Sequence, residues 1–226
     1  MKKTMKTNLK YDAVLYDFDG TLADSVPAIV ESFKLAYIEL FGECTRTEED
    51  FRSYIGLPLA RTFEMHDPET ADKLVATYLN INEKMLRDGV VGFFPGIYEM
   101  LTEIQEMGVK QGIVTSKSRN STTISLDVLD AWKYFDANVF REDTDEHKPA
   151  PAPLIEGAKR MGITDMSRVL YVGDALPDAL CAKNAGCDFA LVDWTAMDRN
   201  SPEMANPTYL IKETKDLSCI IKTREL

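Results

Sequence analysis

Two aspartates stand two residues apart directly after an apolar stretch near the start of the sequence, in AVLYDFDGT (residues 13–21). The apolar run suits a buried strand, and residues i and i+2 of an extended chain point to the same side. Asp17 and Asp19 are therefore expected to lie together at the end of that strand, where repulsion and desolvation both penalise them. Such a placement indicates chemistry, because carboxylates can hold a metal ion or attack phosphorus.

Other polar residues follow the remaining predicted strands. In open parallel sheets, ligands bind beyond the carboxyl ends of the strands. The residues predicted at that edge are Thr115, Ser116 and Lys117 after the second strand, Lys148 after the third, and Gly173, Asp174 and Asp178 after the fourth. Carboxylates, a hydroxyl and a lysine are thus expected to converge with the first pair.

The charges of this group predict a cation and a retained proton. Hard oxygen ligands in such number suit Mg²⁺, held by carboxylates, water and substrate phosphate. The four aspartates carry four formal negative charges, whereas Mg²⁺ and Lys148 together carry three positive charges. One carboxylate is therefore predicted to keep a proton, as a general acid requires.

The elements that must position these residues alternate between strands and helices, the pattern of a parallel sheet with crossover helices. Strands are predicted at residues 12–17, 109–114, 136–140, 168–172, 188–192 and 208–211. The predicted fold class is therefore α/β, with a Rossmann-like parallel sheet. This core comprises residues 1–24 and 92–226.

Residues 25–91 break the alternation, because they show helical patterns only. Ser25 is predicted to cap a helix that ends at Gly42. Asp67 is predicted to cap a second helix, with Pro68 at its first position and Gly89 at its end. The sequence thus predicts an all-helical insert after the first strand.

Four segments together resemble the motifs of the haloacid dehalogenase-like phosphohydrolases. They occur in the order of that family and are DFDGT (17–21), VTS (114–116), HKPAPAP (147–153) and GDALPD (173–178). The resemblance covers essentially the whole chain, and it implies that the helical insert is the family's small cap domain. Dehalogenating relatives lack the second acid, so Asp19 favours phosphoryl chemistry.

The resemblance also implies roles for single residues. Asp17 would be the nucleophile that becomes phosphorylated, and Asp19 the acid/base that protonates the leaving oxygen and then activates water. The phosphoryl-binding residues that it implies are Gly20, Thr115, Ser116 and Lys148. The Mg²⁺ ligands that it implies are Asp17, the Asp19 carbonyl, Asp174 and, directly or through water, Asp178. From its position alone, Asp178 could instead cap the helix that follows it.

The stretch FRSYIGLPLARTF (residues 51–63) resembles the substrate loop of phosphoglycolate phosphatase-like caps. It suggests Arg52 and Arg61 as residues that select the substrate. The alternative for both arginines is a solvated charge on a helix.

The function implied is that of a Mg²⁺-dependent phosphatase, similar to phosphoglycolate phosphatase, which hydrolyses a small phosphorylated metabolite through an aspartyl-phosphate. One alternative is a β-phosphoglucomutase-like phosphotransferase. Mutases of that type carry a cap arginine where Leu59 stands here, although Arg61 is close. A remote alternative is a non-catalytic ligand-binding protein on the same fold, and the presence of every motif residue argues against it.

Composition excludes several other classes. The net charge of −11 disfavours nucleic acid as a partner. Four cysteines without a CxxC pair argue against a zinc site and a disulfide framework. The first residues lack the apolar segment of a signal peptide, and no stretch approaches the ~18 apolar residues of a membrane span. A cytoplasmic protein without a membrane partner is predicted, and monomer and dimer both stay open.

Overall fold

A six-stranded parallel sheet forms the centre of the protein in a computed structural model, which describes residues 9–55, 57–194, 204 and 206–222. The strand order is β3-β2-β1-β4-β5-β6. The strands are β1 (Ala13–Tyr16), β2 (Lys110–Val114), β3 (Ala137–Val139), β4 (Val169–Gly173), β5 (Asp188–Val192) and β6 (Tyr209–Ile211). The predicted α/β class and all six predicted strands are confirmed, with ends that differ by at most one residue.

The strand β1 lies in the middle of the sheet, between β2 and β4. Its four residues are all fully buried, and their side chains alternate between the two faces. Val14 and Tyr16 belong to one hydrophobic cluster, and Ala13 and Leu15 to the other. Burial on both faces explains why the strand reads as a continuous apolar run. The chain that leaves β1 therefore emerges at the centre of the sheet edge.

Four helices follow β1 before the sheet resumes. They are α1 (Val26–Phe41), α2 (Glu48–Tyr54), α3 (Leu59–His66) and α4 (Ala71–Arg87). Their aromatic side chains form a cluster of their own, in which the Phe33 ring lies 5.5 Å from the Phe51 ring and 4.5 Å from the Tyr78 ring. The helical insert thus has a separate hydrophobic core.

Five further helices pack around the sheet. They are α5 (Ile97–Glu106), α6 (Arg119–Val128), α7 (Ala152–Arg160), α8 (Leu176–Ala185) and α9 (Asp216–Lys222). Short 3₁₀ turns occur at Trp132–Tyr134, Arg141–Asp143 and Met166–Arg168. Among the described residues, none of the helices combines the length and the apolar character that a membrane crossing needs.

The predicted start of α4 was wrong. The helix begins at Ala71 with Thr70 at its N-cap position, whereas Asp67 follows the last residue of α3. The Asp67 carboxylate accepts hydrogen bonds from Arg46, at 2.8 Å, and from the Tyr37 hydroxyl. Contacts with residues distant in the sequence thus replaced the predicted local cap.

Ser25 occupies the predicted N-cap position of α1, but its side chain makes no capping hydrogen bond. Its φ and ψ of −99° and −15° are already helical, whereas a capping side chain needs an extended residue. Gly42 ends the helix in the left-handed conformation, with φ of 80°, as predicted.

Two linkers connect the insert to the sheet, and they pair with one another. The Asp24 amide donates to the Gly92 carbonyl at 2.9 Å, and the Phe94 amide to the Leu22 carbonyl at 3.0 Å. The domain boundaries predicted at residues 24/25 and 91/92 fall in this paired region. A second contact lies further along the insert, where α4 packs on α6 and Asn120 donates to Glu83 at 2.5 Å.

Candidate active site

A single cavity receives the polar residues predicted at the strand ends. Its lining includes Asp17 and Asp19 after β1, Thr115 to Lys117 after β2, Lys148 after β3, and Asp174 and Asp178 after β4. Parallel strands with adjacent carboxyl ends explain the convergence, since β2, β1 and β4 are neighbours in the sheet.

Three buried carboxylates form the centre of this cavity. One oxygen from each of Asp17, Asp174 and Asp178 lies within 4.8 Å of the other two. Desolvation by burial, with some repulsion from the neighbouring acids, raises the pKa of Asp17 to about 6. The same causes raise the pKa of Asp174 well above its ordinary value. The protein groups alone therefore leave this cluster short of positive charge.

Lys148 is the cation closest to the cluster. Its Nζ lies 2.7 Å from Asp178 Oδ1 and 3.0 Å from Asp17 Oδ1, and its side chain is 5% exposed. Burial alone would lower the pKa of Lys148, but the two carboxylates raise it above its ordinary value. The side chain is therefore held as a buried cation.

The cluster fits a divalent cation such as Mg²⁺. Although Lys148 lies near Asp17 Oδ1, the geometry is not that of a hydrogen bond, and this buried oxygen has no hydrogen-bond donor among the described residues. A buried carboxylate oxygen without a donor is costly unless a cation or a ligand satisfies it. Asp17, Asp174 and Asp178 are the residues that could hold the ion, and oxygen ligands are those that Mg²⁺ prefers.

Asp178 combines the two roles that its position suggested. Its Oδ2 accepts a hydrogen bond from the Ala175 amide at 3.2 Å, which caps the start of α8. Its Oδ1 accepts from Lys148 and from the Tyr171 hydroxyl, at 2.7 and 2.9 Å. Because these donors already engage both oxygens, Asp178 has less capacity to bind a metal directly than Asp17 has.

Asp19 faces a different partner. Its two carboxylate oxygens accept from Lys117 Nζ at 3.0 and 3.1 Å, and the Lys117 side chain is 8% exposed. Sequence reasoning placed Lys117 at the right edge of the sheet but gave it no role. Its position directly after the VTS segment was the only available signal. Tyr171, a β4 residue whose hydroxyl reaches both Lys148 and Asp178, was missed entirely.

Thr115 and Ser116 both line the cavity, as predicted. Thr115 is buried, and its hydroxyl oxygen accepts a hydrogen bond from the Lys117 amide at 3.2 Å. The Thr115 side chain therefore shapes the loop that presents Lys117. Ser116 is half-buried.

Gly20 makes the closest backbone approach to the carboxylate cluster. Its φ is +77°, and a Cβ at this position would lie 2.4 Å from Asp174 Oδ2. A glycine is required here for two reasons. Residues with a side chain disfavour this backbone conformation, and the Asp174 carboxylate leaves no space for a Cβ. Thr21, the next residue, donates to Asp174 Oδ1 at 3.0 Å and fixes that carboxylate.

The variant Gly20→Ala is expected to lower catalytic turnover at least about tenfold, because the new methyl group displaces Asp174 from the cluster. Gly42→Ala is a matched control. Gly42 has a similar φ of +80°, but a Cβ there would meet nothing within 4 Å. Both variants should lose about 1–2 kcal/mol of folding free energy to backbone strain, and only Gly20→Ala should lose turnover. Steady-state kinetics and urea unfolding separate the two effects, and equal turnover in both variants would contradict a role of Gly20 in placing Asp174.

The structure does not bring the two predicted selectivity arginines into the cavity. Arg52 and Arg61 are both exposed, and neither is among the lining residues. The neighbouring residues Ile55, Leu57 and Leu59 line it instead. The solvated-charge alternative describes both arginines in this structure.

Comparisons with known proteins identify the family of the chain. Residues 14–192 match the family described as haloacid dehalogenase-like hydrolase. A pyrophosphatase, PpaX, from Anoxybacillus flavithermus is 32% identical over 213 residues, which cover 94% of this chain and 98% of the relative. Its counterpart from Bacillus velezensis is 31% identical over 211 residues, which cover 93% and 96%.

Solved structures share the fold. A putative phosphoglycolate phosphatase from Lactobacillus plantarum superposes with a TM-score of 0.81 at 20% identity, covering 94% of this chain and all of that one. A putative haloacid dehalogenase-like hydrolase from Bacteroides fragilis gives 0.80 at 28% identity, covering 92% of this chain and all of that one.

Proposed function

Because the chain belongs to the haloacid dehalogenase-like hydrolases, we propose that it is a Mg²⁺-dependent phosphatase of small phosphorylated metabolites, acting through an aspartyl-phosphate. The buried cluster of Asp17, Asp174 and Asp178, with Lys148 at 2.7 to 3.0 Å, carries the proposal. Carboxylates buried together with one lysine are a liability for stability and are well suited to phosphoryl transfer.

In the first step, a carboxylate oxygen of Asp17 attacks phosphorus and the bond from phosphorus to the leaving oxygen breaks. Asp19 gives its proton to that oxygen, so the product leaves as an alcohol. In the second step, Asp19 takes a proton from water, the water oxygen attacks phosphorus, and the phosphoryl–Asp17 bond breaks to release inorganic phosphate. Lys148 offsets the charge that develops on the phosphoryl oxygens, and in this proposal Gly20, Thr115 and Ser116 bind those oxygens.

In this proposal Asp17, the Asp19 carbonyl and Asp174 hold Mg²⁺, with Asp178 assisting directly or through water. When bound, Mg²⁺ neutralises charge on the phosphoryl oxygens and on the acidic cluster. The raised pKa values of Asp17 and Asp174 support a cation here, because burial without one disfavours their charged forms.

A panel of phosphorylated compounds tests the proposal through release of inorganic phosphate, with and without Mg²⁺. The names of the relatives put pyrophosphate and 2-phosphoglycolate on this panel, beside sugar phosphates, nucleoside monophosphates and simple phosphate esters. Phosphate release should stop with EDTA and return with excess Mg²⁺. Release that persists in EDTA, or no release from any compound with Mg²⁺ present, would overturn the proposal.

The phosphotransferase alternative is less well supported by the cavity. Among the described residues, the cap cation that such a mutase requires has no counterpart in the cavity, since Leu59 lines it and Arg61 is exposed outside it. Measuring free phosphate against isomerised sugar phosphate separates the two reactions. Our proposal includes a cytoplasmic location, which the free thiols of Cys44, Cys181 and Cys187 support. It includes neither nucleic acid nor a membrane as partner.

A further inference from the structure

The two ends of the cavity differ in chemistry. The sheet contributes the four aspartates, Thr115, Ser116 and the two lysines already described. The helical insert contributes a wall that is mainly apolar, formed by Ile29, Phe33, Ile55, Leu57, Leu59 and Leu79. The other described residues of the insert in the lining are Tyr54, Tyr78 and Asn82, which are polar but uncharged. A phosphoryl group held at Asp17 would direct the rest of a substrate toward this wall.

The cations of the cavity are already paired. Lys148 lies against Asp17 and Asp178, and Lys117 against Asp19. Arg141, the third cation in the lining, lies 3.1 Å from the Glu142 carboxylate. All three come from the core, and within the described part of the chain the insert adds no cation to the lining. A second anionic group on the substrate would lose water at the insert wall without gaining a partner there.

Part of the apolar surface of this wall is exposed to solvent. Leu57 is 52% exposed, and its neighbours Ile55 and Leu59 are only half-buried. Covering such surface with an apolar group is favourable because it removes that surface from water. The wall therefore gains from an uncharged apolar group and gains nothing from a carboxylate or a phosphate.

We propose that this site selects phosphomonoesters whose leaving group is an uncharged apolar or aromatic alcohol, over compounds that carry a second anionic group. The inference rests on the proposed phosphatase function, because that function fixes the phosphoryl group at Asp17 and hence the position of the leaving group. The substrate preference that we infer differs from the substrates in the names of the relatives, because pyrophosphate and phosphoglycolate both carry a second anionic group.

Two phosphonates that resist hydrolysis test the preference without turnover. Benzylphosphonate carries an aromatic group, and phosphonoacetate carries a carboxylate in the corresponding place. With Mg²⁺ present, isothermal titration should show benzylphosphonate binding at least about tenfold more tightly. Equal affinity, or tighter binding of phosphonoacetate, would overturn the inference.

Variants of the insert wall sharpen the test. Leu59→Arg adds a cation at the first residue of α3, and Leu57→Arg adds one at an exposed loop position. Either variant should shift the affinity ratio toward phosphonoacetate by at least about tenfold. Ile38→Arg adds the same charge on the insert outside the cavity lining, at a residue that is 37% exposed, and should leave the ratio unchanged. An unchanged ratio in both wall variants would count against the inference.

Turnover distinguishes this inference from the function on which it rests. Benzyl phosphate and 2-phosphoglycolate both release an alcohol whose hydroxyl is on an sp³ carbon, so kcat/KM for phosphate release compares them directly. Faster hydrolysis of benzyl phosphate supports both statements. Faster hydrolysis of 2-phosphoglycolate overturns the inference and leaves the phosphatase function standing. If benzylphosphonate binds more tightly than phosphonoacetate but no phosphorylated compound is hydrolysed, the proposed phosphatase function is overturned instead.

Discussion

Asp17→Asn is expected to lower phosphate release by at least about 10³-fold, because the amide cannot attack phosphorus to form the proposed aspartyl-phosphate. Asp72→Asn, at an exposed position in the first turn of α4, is the matched control and should retain turnover. Single-turnover assays with the best substrate of the panel provide the measurement. Turnover of Asp17→Asn within tenfold of the unmodified protein would remove Asp17 from the reaction.

The same variant should be more stable than the unmodified protein in EDTA at pH 8. Burial raises the pKa of native Asp17 to about 6, whereas an unfolded aspartate titrates near 3.9. The native state therefore loses stability as the pH rises from about 4 to about 6, and asparagine does not titrate. At pH 8 the gain should approach about 3 kcal/mol, and it should largely disappear at pH 4. Urea unfolding at both values measures it, and destabilisation of Asp17→Asn at pH 8 would contradict this account.

Lys148→Met is expected to act in the opposite direction on stability. It leaves Asp17 and Asp178 buried without the cation that now lies 3.0 and 2.7 Å away. Breaking a buried ion pair from one side costs about 3–5 kcal/mol. Phosphate release should also fall about 10²- to 10³-fold, since the variant removes the positive charge that stabilises the negative charge developing on the phosphoryl oxygens.

Lys73→Met, at an exposed position on α4, is the control for Lys148→Met and should change neither quantity. Lys148→Arg tests the charge separately from the shape, because it keeps the cation in a larger group. Partial activity in Lys148→Arg with none in Lys148→Met would support a charge role. Full activity in Lys148→Met would show that the lysine only stabilises the fold.

The opposite effects of Asp17→Asn and Lys148→Met on stability follow from one feature, the excess of buried negative charge. Removing an acid relieves repulsion, whereas removing the lysine increases it. A stability penalty retained at this position is typical of groups kept for chemistry.

The sequence predicted the strands and the polar residues at their ends because those signals are local. Each strand is an apolar run bounded by polar or turn residues, as in Val169–Gly173, and a parallel sheet then brings the strand ends to one edge. The convergence of Asp17, Lys148 and Asp174 thus followed from strand order and chain direction. Gly20 and its neighbours in DFDGT were found for the same reason.

Tertiary structure decided what those residues contact. Asp67 was predicted as a helix cap, but Arg46 and Tyr37 reach it from elsewhere in the insert. The pairing of Asp19 with Lys117 joins residues 98 positions apart, and no local pattern encodes such a distance.

The same limit applies to the cavity wall. Arg52 and Arg61 stand in a stretch that suggested substrate contact, yet the packing of α2 and α3 leaves them exposed and turns Ile55, Leu57 and Leu59 toward the cavity. Which side of a short helix faces a cavity depends on how its neighbours pack, and a window of a few residues does not contain that information. The sequence by itself therefore indicated the phosphatase chemistry, and only the tertiary structure decided the character of the cavity wall that, in our proposal, meets the leaving group.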